Sequence, residues 1–497
     1  MWTNTTPDYC AEQHRPPATT RRDFLFGAGG GLGGIALAVL LAEDGLLGGE
    51  RSEARPAANP LQRKPPHFLP RAKRVIHLVC PGGISQVDTY DYKPMLEKLH
   101  GKPYQGVPGE VFFASAPGKY QRSYWKFRQR GRSGLWMSDL LPQLSECVDQ
   151  MTFIYSMQSK SALHGAATFM MNSGFTLPGF PAMGCWVTYG LGSEAQNLPS
   201  FVVLPDSRGV PPGGPANWGA GFLPAVYQGA AINTAKDRPP IHDLFPPREA
   251  RIDPAADTDS RHFLRQLNER HLAEHSGDTE LEARISAYEL AARLQLSAPE
   301  VTDLSRETQA TRALYGFDNP KTEPFGRQCL LARRLIEAGV RFVQVWCGAD
   351  NVPPPRPNWD AHEDVLDNHG VHGPVLDRGA SALLRDLAQR GMLDETLVMC
   401  TSEFGRQPAA QGKGRDHNAE AFTVWLAGGG TRGGIGYGAT DDTGRRAVEH
   451  PCLSYDLHAT ALHLLGLDHT RLTYYHNGVQ RRLTDVHGRV IREILDT

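Results

Sequence analysis

Four short stretches of this chain place carboxylates and imidazoles where strand-like runs begin or end. "PGGISQVDTYD" follows the apolar run "RVIHLVC" (74–80) and offers Ser85, Asp88 and Asp91. "CGADNVPPPRPNWDAHED" follows "VRFVQVW" (340–346) and offers Asp360 and His362. "TSEFGR" follows "TLVMC" (396–400) and offers Glu403, while "GRDHN" stands just ahead of "FTVWLA" (422–427) and offers Asp416 and His417. A mixed oxygen and nitrogen donor set suits Zn, Mn, Mg or Ca, with Zn favoured as histidines are added. Arg406 and Arg415, in the same stretches, have the planar fork that grips a phosphate or sulfate through two hydrogen bonds. Each piece also has a plain structural reading. A carboxylate after a strand can cap a helix or form a turn, an isolated Asp-x-His is common in surfaces and cores, and Glu403 with Arg406 can simply pair as ions.

The coincidence gains weight from the elements that must carry these residues. Short apolar runs at 74–80, 152–156, 201–205, 340–346, 396–400 and 422–427 have no polar face, as expected of strands buried in a parallel sheet. Between them lie helical patterns that end on Gly339, Gly391 and Gly466, the last starting from an Asp456 cap. Helix, glycine, buried strand, repeated, predicts a three-layer α/β/α sandwich with a mostly parallel central sheet. In such sheets ligands bind beyond the carboxyl ends of the strands. Two regions break the alternation and are read as insertions at about 205–315 on one domain. The first is a Gly/Pro-rich loop (205–233), long enough to be a lid. The second is a helical stretch (258–315) with Leu281, Ile285, Tyr288 and Ala292 on one stripe.

Composition sets the class. The chain has 497 residues, 40% hydrophobic and 21% charged, with a formal net charge of -2. No basic excess points to nucleic acid. Arg21 and Arg22, then Phe24-Leu25 and a Gly/Ala/Leu run to about Leu41, resemble a twin-arginine export signal. The expected organisation is a signal segment (1–45), a linker (46–70) and one domain (71–497). The export machinery is then a partner, the periplasm or cell surface the destination, and no membrane span remains in the mature chain. The eight cysteines are widely spaced, with Cys10 inside the signal, and read as free buried thiols.

The combination "TRRDFL", "GGISQVDTYDYKP", "HGAATFMMNSG", "NWGAGFLPAVYQG", "ELEARISAYELAARLQLSAPE", "NWDAH", "TSEFGRQP", "GRDHN", "YGATDD" and "LGLDHTRLTYYHNG" resembles the exported bacterial family catalogued as domain of unknown function 1501. That family is grouped with the alkaline-phosphatase and sulfatase superfamily. The resemblance implies an alkaline-phosphatase-like fold with one or two metals at the carboxyl edge of the sheet. It also implies metal ligands at Asp88, Asp360, His362, Glu403 and His417. The departures are as informative. His164 stands at the nucleophile position where sulfatases carry cysteine, so formylglycine chemistry is not expected. Phe404 replaces the histidine of the superfamily's "TSDHG", removing one ligand. Two readings follow. One is an exported metal-dependent hydrolase of phosphate or sulfate esters, with His164, Arg406 and Arg415 in catalysis and Ser85, Asn217, Trp218 and Gln228 on the substrate. The other is a catalytically silent member that binds a sulfated or phosphorylated glycan or serves an exported complex. A metal-free role, with the carboxylates as caps, is the bland remainder.

Overall fold

A computed structural model describes residues 59–106, 118–195, 197–236, 253–275, 299–350 and 357–496, together with positions 281, 285 and 289. The segment expected to be an export signal (1–45), with Cys10, and Tyr288 and Ala292 lie outside the described residues. Residues 59–497 form one compact unit. The stretch expected as linker up to residue 70 is attached to that unit where it is described. Lys64 donates its backbone N–H to Leu191, and His67 donates to Gly466.

The strands that build the central sheet and the site are, in chain order, β1 (Arg74–Val79), β2 (Met151–Gln158), β3 (Phe201–Leu204), β4 (Ala230–Ala231), β5 (Phe342–Trp346), β6 (Thr396–Thr401), β7 (Gly405–Gln411), β8 (Gly414–Asn418), β9 (Phe422–Ala427), β10 (Ile435–Tyr437) and β11 (Cys452–Leu453). Helices are α1 (His164–Ser173), α2 (Met183–Leu191), α3 (Pro254–Glu274), α4 (Glu323–Glu337), α5 (Val365–Gln389) and α6 (Ser454–Leu464). Among the described residues nine strands make one sheet in the order β10-β2-β9-β6-β1-β5-β3-β4, with β11 also on β2. β7 and β8 form a separate two-stranded ribbon.

Alternation along the strands builds the two faces. Ile76, Leu78, Val343, Val345 and Val398 pack with α4 and α5 on one side. Val75, Val79, Phe342, Leu397 and Met399 pack with α2 and α6 on the other. The molecule is therefore an α/β/α sandwich, as the pattern predicts. Gly339, Gly391 and Gly466 take positive φ just past α4, α5 and α6, the left-handed turn that ends a helix. Asp456 differs from its expected place. It sits in the first turn of α6 and accepts the N–H of Leu453 from inside the helix. α5 also starts earlier than the sequence suggests, because Asp364 caps it by accepting the N–H of Asp367.

One strand runs against expectation. β9 is antiparallel to both neighbours, β6 and β2. The chain leaves β6 and returns through the β7–β8 ribbon without a helical crossover. A parallel return needs such a crossover, so β9 enters from the edge that β6 has just left.

The 205–233 segment is not a free lid. Its first half packs on α1, with Asn217 and Trp218 buried. Its end supplies the edge strand β4.

Candidate metal centre

The antiparallel entry of β9 is what brings the site together. Residues just ahead of β9 lie at the same edge as residues just after β2, β5 and β6. That edge collects His164, at the start of α1, and Asp360 and His362, in the loop after β5. It also collects Glu403, after β6, and His417, on β8. Gly82 and Gly83, after β1, adopt φ of +107° and +74° and thread between the Asp360 backbone and the Phe404 ring. A Cβ at Gly82 would lie 2.4 Å from the Asp360 nitrogen, so no other residue fits there.

Three ligand atoms face one another at the centre. His362 Nε2 and His417 Nε2 are 2.8 Å apart. Asp360 Oδ1 lies 3.2 Å from the first and 3.4 Å from the second. The other ring nitrogens anchor the two rings. His417 Nδ1 is 2.7 Å from the Ala162 carbonyl, which only accepts, so the proton is on Nδ1 and Nε2 is bare. His362 Nδ1 meets Gln411 Oε1 at 2.6 Å, with Asp416 Oδ1 at 3.7 Å, which fixes the plane of its ring. Two lone pairs 2.8 Å apart repel unless a proton or metal ion lies between them. Ligands about 2.0–2.1 Å from a tetrahedral zinc ion stand about 3.3 Å from one another; the two edges to Asp360 are close to that, and the 2.8 Å imidazole edge would have to open by about half an ångström. Burial, partly offset by Asp360, lowers the pKa of His417 to about 4, so its ring is neutral and ready to bind.

His164 completes the group from the far side. Its Nε2 is 3.3 Å from Asp360 Oδ2 and its Nδ1 is 2.6 Å from Glu403 Oε1. Burial opposes its charge, but the two carboxylates outweigh burial and raise its pKa to about 9. Asp360 is buried too, yet His164 and Arg406 hold its carboxyl well below the usual range. The Phe404 ring lies 4.4 Å from His417 and 4.9 Å from His164 between centroids, an apolar wall that stiffens both imidazoles.

Several expected roles move. Glu403 is not in the triangle; Gly82 N–H and His164 Nδ1 take its Oε1, so it supports a histidine from behind. Asp88 is fully buried and committed to Arg415, with Arg415 Nε and Ser85 Oγ both on its Oδ2. Arg415 gives its remaining donors to the carbonyls of Gln407, Pro408, Gln121 and Arg122. Arg406 is equally closed: its donors reach Gly82, Gly83 and Arg415 carbonyls and Asp360 Oδ1. Neither arginine has an edge left for a substrate anion. Ser85 is buried, its hydroxyl on Asp88. Asn217 bonds Asn172 and the carbonyls of Pro212 and Gly214, and Trp218 packs on Trp346, so both build the core. Gln228 is exposed.

Sequence reasoning missed Gln411 and the Ala162 carbonyl, which anchor the two rings. It also missed His369, buried on α5, whose Nε2 accepts the Ser85 N–H. No spacing rule marks these residues; they act only through the fold.

The fold and site define an α/β sandwich with a histidine–aspartate cluster at one sheet edge. The chain belongs to the family described as protein of unknown function (DUF1501), whose model matches residues 72–495. No curated protein matches it. Among solved structures, the lipoteichoic acid synthase LtaP from Listeria monocytogenes aligns at 10% identity and a TM-score of 0.32, covering 85% of this chain and 78% of that one. A TAB5 alkaline phosphatase mutant with Mg bound aligns at 9% and 0.34, covering 80% and 99%. The PsFucS1 sulfatase from Pseudoalteromonas sp. aligns at 13% and 0.31, covering 80% and 68%. Among the described residues no helix is long and apolar enough to cross a membrane.

Proposed function

We propose that this chain is an exported, divalent-metal-dependent hydrolase of phosphate or sulfate esters. One observation carries the reading: two imidazole nitrogens and a carboxylate oxygen converge within 2.8–3.4 Å at the edge of the sheet. Asp360, His362 and His417 would hold the ion, and two nitrogens with one oxygen favour zinc. Three protein ligands leave a position open, as catalytic zinc sites do. A bound divalent ion supplies charge stabilisation to an ester oxygen or lowers the pKa of a water.

The residues around it have distinct tasks. Glu403 fixes the His164 ring through Nδ1 and leaves Nε2 pointing at Asp360. A protonated His164 is an acid, not a nucleophile, and is suited to give its proton to a leaving oxygen. Arg406 offsets the charge of Asp360 from inside the protein. Because Arg406 and Arg415 are saturated, His164 is the cation left at the centre to meet an anionic ester. Export rests on the paired arginines at 21 and 22, and Lys replacement of both should hold the protein in the cytoplasm.

The test is direct. Metal-loaded protein is assayed on aryl phosphates, phosphodiesters and aryl sulfates beside a His417→Ala control. Turnover that matches the control for every ester, with metal bound, removes the hydrolase reading. A second reading has its own support: both arginines are closed and position 164 offers no hydroxyl or thiol. On that reading the centre binds a sulfated or phosphorylated glycan without cleaving it, and saturable glycan binding with no product is the result that selects it.

A further inference from the structure

A second cluster of metal-ligating side chains stands on the inserted helix α3 and plays no part in the centre above. In "HLAEH", His271, Glu274 and His275 fall at i, i+3 and i+4, which puts them on one helical face. Their ligand atoms lie within 4.8 Å of one another and all three side chains are exposed. The two imidazole centroids are 4.3 Å apart. His275 Nδ1 lies 2.9 Å from the His271 carbonyl. A carbonyl only accepts, so the His275 proton is on Nδ1 and Nε2 carries a free lone pair. The cluster occupies the last turn of the helix, whose negative dipole end favours a cation.

We propose that His271, Glu274 and His275 form a surface transition-metal site, independent of the candidate centre, that takes Zn(II), Ni(II) or Cu(II) and rejects Mg(II) and Ca(II). Two imidazoles with a single carboxylate suit the nitrogen-seeking ions and give the oxygen-seeking ones too few ligands. The side chains already stand in water, so binding needs no burial of charge and only a modest change of rotamer. The same His-x-x-Glu-His spacing serves one class of zinc peptidases; here binding alone is inferred. Three protein donors leave coordination positions for water or for a donor from another molecule.

The test uses the untagged full chain stripped with a chelator. In a His362→Ala/His417→Ala background, Ni(II) titrated by calorimetry should bind at one ion per chain. Adding His271→Ala/His275→Ala should abolish that heat, and Mg(II) should give none in either form. Equal Ni(II) stoichiometry with and without the α3 pair, or Mg(II) binding lost together with it, overturns the site. If the centre variant does not fold, the exposed pair is replaced in the otherwise unaltered chain, and the stoichiometry should fall by one ion. Ester turnover has no bearing on this readout.

Discussion

Asp88 and Asp360 are two aspartates at the same sheet edge, each facing a fully buried arginine, and they end in opposite states. Asp88 is sealed: Arg415 and Ser85 fill its oxygens, and burial leaves no approach. Asp360 keeps about a third of its side chain exposed and turns both oxygens toward imidazoles after satisfying Arg406. One pair is a strut and the other is half of a site. What separates them is not charge, since both face an arginine, but access: Asp88 is walled in, and Asp360 turns toward imidazoles at an open edge.

The strongest way to break this contrast is Asp88→Ala. It leaves the Arg415 guanidinium buried without a counter-charge, which costs about 3–5 kcal/mol. Urea unfolding should show a loss of that size in unfolding free energy, read as a lowered midpoint. A midpoint equal to the wild type would mean that the pair is not structural.

The pH dependence of the stripped protein sharpens the contrast next. His164 has its pKa raised from 6.5 to about 9 by the two carboxylates, against burial. The folded form therefore holds this proton more tightly than the unfolded form. The stabilisation is complete below pH 6.5 and is lost as pH rises through about 9, amounting to roughly 3 kcal/mol. The Asp88 carboxyl is opposed by burial but held low by Arg415, so it stays ionised over that window and adds no slope. Denaturation of metal-free protein at pH 6, 7.5 and 9 should show the loss, and metal-loaded protein should not. A flat profile without metal would mean that His164 is not charged there.

Much of this was legible in the residues and some was not. Runs without a polar face and the glycines that close helices gave the sandwich, because burial on both faces and left-handed turns leave local marks. The clustering of Asp360, His362 and His417 followed from the strand-edge rule. The direction of β9 did not, since strand polarity depends on the missing crossover and not on the strand itself. Asp88, Glu403, Arg406 and Arg415 have the residue types of a site, but which of them is sealed depends on contacts across hundreds of residues. Asn217 and Trp218 sit in a loop that reads as a lid, and only their packing against α1 and Trp346 shows otherwise.

Glu403 tests the layer between strut and site. It touches His164 and the Gly82 N–H and stays ionised, since His164 and that N–H outweigh its burial. Glu403→Gln keeps the shape and removes the charge. Glu403 reaches the ion only through His164 and the ligand Asp360, so losing its charge should weaken metal binding by about 10-fold, the low end for groups behind the ligands. Competition against a chelator of known affinity reads this directly, and unchanged affinity would place Glu403 with the struts.

The smallest effect on stability should come from the centre itself. In the stripped protein His362 Nε2 and His417 Nε2 confront each other at 2.8 Å. Replacing His362 by Ala removes that confrontation, and the side chain is only partly buried, so little packing is lost. The metal-free variant should unfold within about 1 kcal/mol of the wild type, as surface-like substitutions do. It should nonetheless lose the ion, seen as zinc content near zero after dialysis against trace metal. A large stability loss in the metal-free form would show that the two histidines share a proton and act as a strut, which would erase the distinction from Asp88 and Arg415. Small destabilisation with complete loss of metal is the signature of residues kept for binding and not for the fold.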